Sequence, residues 1–266
     1  MKLSISAIIL TYNEELNVEN CLKSVANWAN EIIVVDSFST DKTLEIAKKY
    51  TNKIAEHTFI NQAQQFNWAL DNLEIKNDWI LRLDADEYLT EQLKNEITGK
   101  LKNTPADVNG YYIKRRVYFM NRWIRFGGYY PLWFLRFFRK GKARSEEREM
   151  DEHIVLTEGK AGNLKNDFVD NNRKDLTWWT EKHNRYATRE ANDVVKKNYG
   201  IKKKVFYYRL PPFCRVFCYF VYRYFFQLGF LDGKEGLIFH TLHAFWYRFL
   251  IDAKIYEHRK KIEDRS

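Results

Sequence analysis

Cys21, Cys214 and Cys218 are the only cysteines in 266 residues, too few and odd in number for a disulfide framework. Cys214 and Cys218 stand four apart on an expected helix, with no His or Cys neighbour to complete a metal set. Plain apolar packing is their expected role. No Gly-x-Gly-x-x-Gly and no Gly-Lys-Ser/Thr loop occurs, which weighs against dinucleotide-dependent redox chemistry and against a phosphate-loop NTPase. No uncharged apolar run reaches the ~20 residues that a membrane-crossing helix needs. Met1-Lys2-Leu3-Ser4-Ile5 enters a strand at once, with no apolar signal core, so the cytoplasm is the expected compartment. Internal repeats and low-complexity linkers are also missing.

What the chain does have is apolar bulk, rings and positive charge. A hydrophobic share of 45% allows one large domain, or a domain with an appendage. The net charge of +9 points to a polyanionic partner: nucleic acid, an anionic bilayer or a phosphorylated substrate. The aromatic share of 17% suits stacking on sugars or bases, and seating at a membrane interface.

Apolar runs and helical periods alternate over the first ninety residues or so. Residues 3–10 read as a buried strand. Val18, Cys21, Leu22, Val25, Trp28 and Ala29 then recur at helical spacing. Ile32 to Val35 form a second strand ending at Asp36, and Leu44, Ile46, Ala47 and Tyr50 mark the next helix. Residues 53–58 suit a third strand, 61–73 a helix, and 79–83 a further strand. This alternation predicts an α/β fold, with a parallel sheet covered on both faces. Such sheets bind ligands beyond their strand carboxyl ends, which is where Thr11, Asn13, Asp36 and Asp84 fall. After a helix at about 90–102 the pattern changes. The stretch from Tyr111 to Arg139 is dense in aromatic and basic residues, and acids return at 146–152 before His153. A helix is expected from Leu176 to about Lys197.

The strand at Trp79-Ile80-Leu81 runs directly into Asp84-Ala85-Asp86-Glu87. Paired carboxylates with spare coordination positions suit Mg²⁺ or Mn²⁺ shared with a substrate's phosphates. Asp41, just before a helical run, suits a helix cap.

The order Ile-Ile-Leu-Thr-Tyr-Asn-Glu-Glu, then Val-Val-Asp-Ser-Phe-Ser-Thr-Asp-Lys-Thr, then Leu-Asp-Ala-Asp-Glu resembles the family 2 glycosyltransferases. Their fold is the nucleotide-sugar-binding type called GT-A. The later segments Leu-Arg-Phe-Phe-Arg-Lys-Gly, Met-Asp-Glu-His and Lys-His-Asn-Arg-Tyr-Ala resemble the branch containing lipopolysaccharide-core and exopolysaccharide enzymes. The resemblance implies that Thr11, Tyr12, Asn13 and Glu14 line the nucleotide pocket, with Asp36 on the uracil or ribose. It puts Gln65, for which surface polarity is an equal alternative, and Asn67 on a helix bordering the donor. Asp84 and Ala85 would touch the ribose or the cation, and Asp86 would be the main ligand of a divalent Mg²⁺ or Mn²⁺. Many relatives carry two consecutive acids where this chain has Asp36-Ser37. Relatives also place a Glu at the position matching Glu152, preceded by His where this chain has Asp151.

Sugar transfer requires a base for the acceptor hydroxyl. Glu152 is the first candidate and Asp151 its rival, with inversion at the anomeric carbon implied by the resemblance. His153 could meet metal or phosphate, or serve structure alone. Arg115, Arg116 and Arg136 are candidates for phosphate contacts. Trp123, Tyr129, Tyr130 and Trp133 are candidates for an acceptor platform. The competing readings are a nucleotidyltransferase acting on a sugar phosphate and a non-catalytic membrane or nucleic-acid binding protein.

The expected division is a glycosyltransferase domain over 1–200 and a basic aromatic tail over 201–266. In the tail, Lys202, Lys203, Lys204 and Arg209 precede Pro211-Pro212 and an apolar stretch from Phe213 to Leu231. Arg215, Tyr219, Arg223 and Gln227 recur every four residues as a single polar row. A wide apolar face with a narrow cationic row predicts a helix lying in a membrane interface; packing on the catalytic domain is the alternative. A second such helix is expected from Leu237 to Ile255, with His240 and His243 on it. The expected partners are therefore a nucleotide-sugar donor, a glycolipid or lipid-linked oligosaccharide acceptor and an anionic membrane surface, rather than nucleic acid. The expected location is the cytoplasmic face of a bacterial inner membrane.

Overall fold

The computed structural model describes residues 3–146, 153–195 and 207–264. The chain divides into two compact units, 1–121 with 131–173, and 122–130 with 174–266. This division differs from the expected one after residue 200: the helix that follows Leu176 belongs with the C-terminal segment.

The first unit runs β1 (Leu3–Thr11), α1 (Val18–Ala26), β2 (Ala29–Asp36), α2 (Thr43–Ala47), β3 (Ile54–Glu56), α3 (Gln62–Asn72), β4 (Trp79–Asp84), β5 (Glu87–Leu89), α4 (Glu91–Leu101) and β6 (Val108–Phe119). After β7 (Arg122–Ile124), which belongs to the second unit, come β8 (Leu132–Arg139), β9 (Ala143–Ser145), β10 (Ile154–Leu156) and β11 (Lys160–Asn171). In the sheet the order is β3-β2-β1-β4-β8-β6-β11-β5. The first four strands are parallel, as the alternation predicts. β8 is antiparallel to both β4 and β6, so the sheet is mixed.

Alternate residues of β1 feed two separate cores, because successive strand side chains point to opposite faces. Ile5, Ala7 and Ile9 pack with Val18, Leu22 and Val25 of α1. Ile8 and Leu10 pack with Phe66 of α3 and Phe138 of β8. Both faces are thus covered, and the apolar run of β1 needs no polar alternation. Side chains start two of the helices: Asn61 Oδ1 accepts from Gln64 N at 2.8 Å, and Thr90 Oγ1 accepts from Leu93 N at 3.2 Å. β9 and β10 pair as a separate hairpin, closed by Glu146 N donating to His153 O at 2.8 Å.

The second unit holds α5 (Leu176–Val195), α6 (Cys214–Val221) with a π-turn at Tyr222–Phe226, a 3₁₀ turn (Gly229–Asp232), α7 (Gly233–His240) with a π-turn at Thr241–Trp246, and α8 (Tyr247–Glu263). α5 and α8 share an apolar core of Ala187, Ala191, Val194, Tyr247, Ile251 and Ile255. Glu190 lies inside this unit, accepting from Tyr208 Oη, Tyr247 Oη and Arg248 Nη1 at 2.9–3.0 Å. The segment 122–130 is tied to the turn after α6. Asp232 accepts from Arg125 N and Phe126 N at 3.2 and 2.9 Å, and Gly127 N donates to Gln227 O at 2.8 Å. Gly127, at φ +67°, is pressed against the His240 ring, where an added Cβ would come within 2.0 Å.

Two expectations for the tail are overturned. Cys214 and Cys218 are exposed rather than packed. The polar row does not face outward. Arg215 is buried against Asp252, because a cation removed from water needs a buried carboxylate. Arg223 lies with its guanidinium 4.4 Å from the Tyr129 ring centroid. The row then stops, since Leu228 adopts a left-handed conformation at φ 60° and breaks the helix. Tyr129, a candidate for the acceptor platform, is itself buried and bonded through its hydroxyl to His243 Nδ1.

Candidate active site

Strand register collects the candidate acids. Thr11 pairs with Asp36 on β2, and Leu10 pairs with Asp84 on β4, so all three strands deliver their last residues to one edge of the sheet. Two inter-strand steps of ~4.8 Å set the Asp36 and Asp84 backbones roughly 10 Å apart, a spacing that one bound molecule can touch at both ends. A cavity of about 520 Å³ does open in this unit, but at the other end of the strands, lined by Asn30, Glu31, Lys53 and Asn77. It is remote from the acids.

The loops beyond β1 and β2 are laced together. Asn13 takes a left-handed conformation at φ 51°, which Asn tolerates. Its N–H donates to Ser39 Oγ and its Oδ1 accepts from Thr40 N, both at 2.8 Å. Glu14 N donates to Thr43 Oγ1 at 2.7 Å. Asp41 accepts from Thr43 N at 2.9 Å and from Glu15 N at 3.1 Å, one residue ahead of Lys42, the N-cap of α2, so it ties the two loops together instead of serving as the cap its position suggested. Asp36 is fully buried, and its carboxylate takes both donors of Ser39, N at 2.6 Å and Oγ at 2.5 Å. A carboxylate withdrawn from water needs such donors, so Asp36 shapes this loop rather than standing open above it. Between them Phe38 is half exposed at φ 62°, a strained conformation for a bulky residue. Tyr12 is exposed, and Thr11 Oγ1 is buried with no hydrogen-bond partner among the described residues.

Gln65 is buried, contrary to the surface alternative. Its Oε1 meets His57 Nδ1 at 2.7 Å, and its Nε2 donates to Ser37 Oγ at 3.1 Å. It therefore braces the loop after β2 against the residue following β3. Asn67, also buried, bonds both backbone groups of Ser145 at 3.0 Å and so secures the β9–β10 hairpin to α3.

Asp84 is held from two sides. Its Oδ1 accepts from Arg82 Nη2 at 3.1 Å, and its Oδ2 from Arg136 Nη2 at 3.2 Å. The same Arg136 nitrogen donates to Glu87 Oε1 at 2.6 Å, while Glu87 Oε2 accepts from Asp84 N at 2.9 Å. Arg136, expected on a phosphate, is thus buried as a bridge between two carboxylates. Burial pushes the Glu87 carboxyl up to about 8, against the pull of Arg136 and with a further push from Asp84 and Asp170. Arg115 reaches Asp170 at 3.4 Å and lies over the Phe134 ring at 4.6 Å. Arg116 bonds Asp167 at 2.5 Å. Trp133 is exposed on β8, with the Lys114 ammonium 5.6 Å from its ring centroid.

Asp86 is placed differently. Ala85 is buried and its N donates to Leu10 O at 3.1 Å, which turns the chain so that Asp86 projects from the sheet edge. Asp86 Oδ2 accepts from Asn172 Nδ2 at 2.9 Å, and no bond to its Oδ1 occurs among the described residues. Of the acids at this edge it keeps the most capacity for a cation. Among the described residues no group of three His, Cys, Asp or Glu could enclose a metal. A single carboxylate can serve Mg²⁺ or Mn²⁺ only together with water and substrate oxygens, which make up most of such an ion's shell.

Asp151 and Glu152 lie outside the described residues. The next residue, His153, stacks on Phe134 at 6.4 Å with an 8° interplanar angle, and Phe134 carries Arg115 and Arg136 near its ring. Its Nδ1 stands 3.8 Å from Glu146.

Ser39, Arg82, Glu87 and Asn172 were not singled out from sequence. Arg82 was within reach, since residues two apart on a strand share a face and it must lie beside Asp84. Ser39, three residues past a strand-terminal Asp, has the spacing of a side chain that bonds the local backbone. Asn172 carries no local signal, because its partner is 86 residues away.

The family model described as Glycosyl transferase family 2 matches residues 6–156. The chain belongs to glycosyltransferase family 2. The match takes in the strand-end acids and ends with the last residue of the β9–β10 hairpin, so this family 2 member is a glycosyltransferase. A Rhizobium meliloti protein named lipopolysaccharide core biosynthesis glycosyltransferase LpsC is 28% identical to it over 270 residues, covering 96% of this chain and 93% of the other. An uncharacterized glycosyltransferase of Rickettsia bellii is 45% identical over 93 residues, 35% of this chain and 31% of its own length. The crystal structure of S. aureus TarS shares 20% identity, covering 72% of this chain and 40% of that one with a TM-score of 0.45. At that score the likeness adds nothing to the family assignment.

Proposed function

We propose that this family 2 enzyme moves a sugar, with inversion, from a uridine diphosphate sugar to a lipid-linked glycan or lipopolysaccharide-core acceptor at the cytoplasmic face of the membrane. The observation that carries the reading is the register setting Thr11, Asp36 and Asp84 at one edge of the sheet. The lipopolysaccharide-core name of the Rhizobium relative supports the acceptor class.

Tyr12, Asn13 and the Ser39–Thr40 backbone form the wall for the nucleoside, kept in shape by Asp36 beneath them. Arg82 and Arg136 fix Asp84, so that the turn through Ala85 presents Asp86 toward the diphosphate. Asp86, with Asp84 behind it, would hold a divalent cation, which supplies Lewis-acid stabilisation of the departing diphosphate when bound. Glu152, or Asp151, takes the acceptor hydroxyl's proton as the glycosidic bond forms on the opposite face from the leaving group. Arg115 and Trp133 serve the acceptor.

The test is release of UDP from a panel of UDP-sugars with Mn²⁺ or Mg²⁺ and membrane glycolipid. Asp86→Ala should abolish metal-dependent turnover with the fold intact, and wild-type rates in that variant would refute the assignment. Glu152→Gln should bind donor but not transfer. If only Asp151→Asn behaves so, Asp151 is the base. Consumption of a nucleoside triphosphate instead would identify a nucleotidyltransferase.

A further inference from the structure

In the C-terminal unit one helix has its polarity reversed. Along α6 and its π-turn, Arg215 and Arg223 face inward, Arg215 being only 5% exposed in its pair with Asp252. Four rings of the same stretch, Phe217, Tyr222, Phe225 and Phe226, are 61, 50, 54 and 73% exposed. At ~200 Å² per ring this leaves roughly 450–500 Å² of aromatic surface in water, as much as the largest apolar patch on most soluble monomers. Leu228, Phe230 and Leu231 extend it through the following turn. Exposed aromatic surface of this size on a helix that hides its arginines is built for something apolar.

Charge says what covers it. Residues 174–266 contain 19 Lys and Arg against 10 Asp and Glu, while the whole chain has 44 against 35. The entire net charge of +9 therefore resides in this segment, and residues 1–173 are neutral overall. Arg209, Lys234, Arg259, Lys260 and Lys261 are exposed. A symmetric pair of copies would set the same positive face against itself, whereas anionic lipid headgroups neutralise it. No helix among the described residues is long and apolar enough to cross a membrane, so the contact is with one leaflet.

We propose that the exposed rings of α6 and its π-turn seat the C-terminal unit in the interface of an anionic lipid bilayer, entering the headgroup–acyl boundary while the unit's exposed basic side chains engage lipid phosphates. For its purpose the inference rests on the lipid-borne acceptor proposed above; its geometry comes from this unit alone.

The experiment is co-sedimentation of the full chain with vesicles of phosphatidylglycerol and phosphatidylethanolamine, and of phosphatidylcholine alone, with no donor present. Binding to the anionic vesicles should be strong, and should fall by about tenfold or more in phosphatidylcholine or in 0.5 M salt. Phe217→Asp/Phe225→Asp should lower it by about tenfold or more, with the circular-dichroism melt unchanged because both rings are exposed. Phe226→Ser serves as the milder variant should the double one misfold. A polarity-sensitive dye on Cys218, in a Cys214→Ser background, should shift to the blue on vesicles. The inference is overturned by absent vesicle binding, by binding that the variants leave intact, or by a concentration-dependent dimer that the same variants dissociate. UDP release on a detergent-dispersed glycolipid is measured separately, so a failed seat and a failed transferase reading remain distinct.

Discussion

Replacing Arg136 by Met tests the charged bridge under the active-site edge. Arg136 is 5% exposed, and one of its nitrogens serves both Glu87 at 2.6 Å and Asp84 at 3.2 Å. Met fills much of the volume but leaves Glu87, 2% exposed, without its cation and facing an Asp84 that keeps Arg82. Removing one partner of a buried ion pair costs about 3–5 kcal/mol, and that is the expected loss in urea melts at pH 9, above the value of about 8 at which the Glu87 carboxyl ionises. Adding Glu87→Gln removes the stranded charge, so the double variant should recover about 2 kcal/mol, a coupling expected only of side chains in direct contact. The pH dependence supplies a second readout. Glu87 is raised above its unfolded value of 4.5 to about 8, so the folded state binds its proton more tightly. Its contribution is present below pH 4.5 and is lost as pH rises through 8. Glu87→Gln should flatten that part of the stability profile. Additive losses, with coupling below about 0.5 kcal/mol, would refute the bridge.

Gly127→Ala must place its Cβ within 2.0 Å of the His240 ring at φ +67°, and should destabilise by about 2–4 kcal/mol in thermal or urea melts. His240 is fully buried, and burial together with Arg223 lowers it from 6.5 to about 4. Its neutral folded form is favoured above pH 6.5, so stability should fall between pH 6.5 and 4, by up to about 3 kcal/mol; His240→Phe should remove that slope. Asp252→Ala strands the buried Arg215 and leaves Phe213 N without its acceptor. It should cost about 3–5 kcal/mol, and Arg215→Met in the same chain should restore part of this.

β1, β2 and β4 were legible because both of their faces are buried, which makes them largely apolar runs bounded by helical periods. The acids at their carboxyl ends followed from the same reading. β8 was not legible as an antiparallel insertion between β4 and β6, since parallel and antiparallel interior strands look alike in sequence. Asp36 and Gln65 were recognised as important, but a one-dimensional pattern does not say whether a polar side chain meets ligand or loop. Here Ser39, Ser37 and His57 occupy them. The arginine row of α6 was seen with the right spacing and the wrong facing. The deciding residue, Asp252, lies 37 positions away on another helix.

The excursion of residues 122–130 carries a consequence for how such enzymes diversify. Asp232 finishes its hydrogen bonding only with the amides of Arg125 and Phe126, and His240 closes over Gly127. A chimera that transplants residues 174–266 alone would import a turn lacking its lid and an imidazole with nothing to rest on. Exchange of tails between relatives should therefore succeed only when the nine-residue loop travels with the graft, which ties two separate stretches of gene into one heritable module.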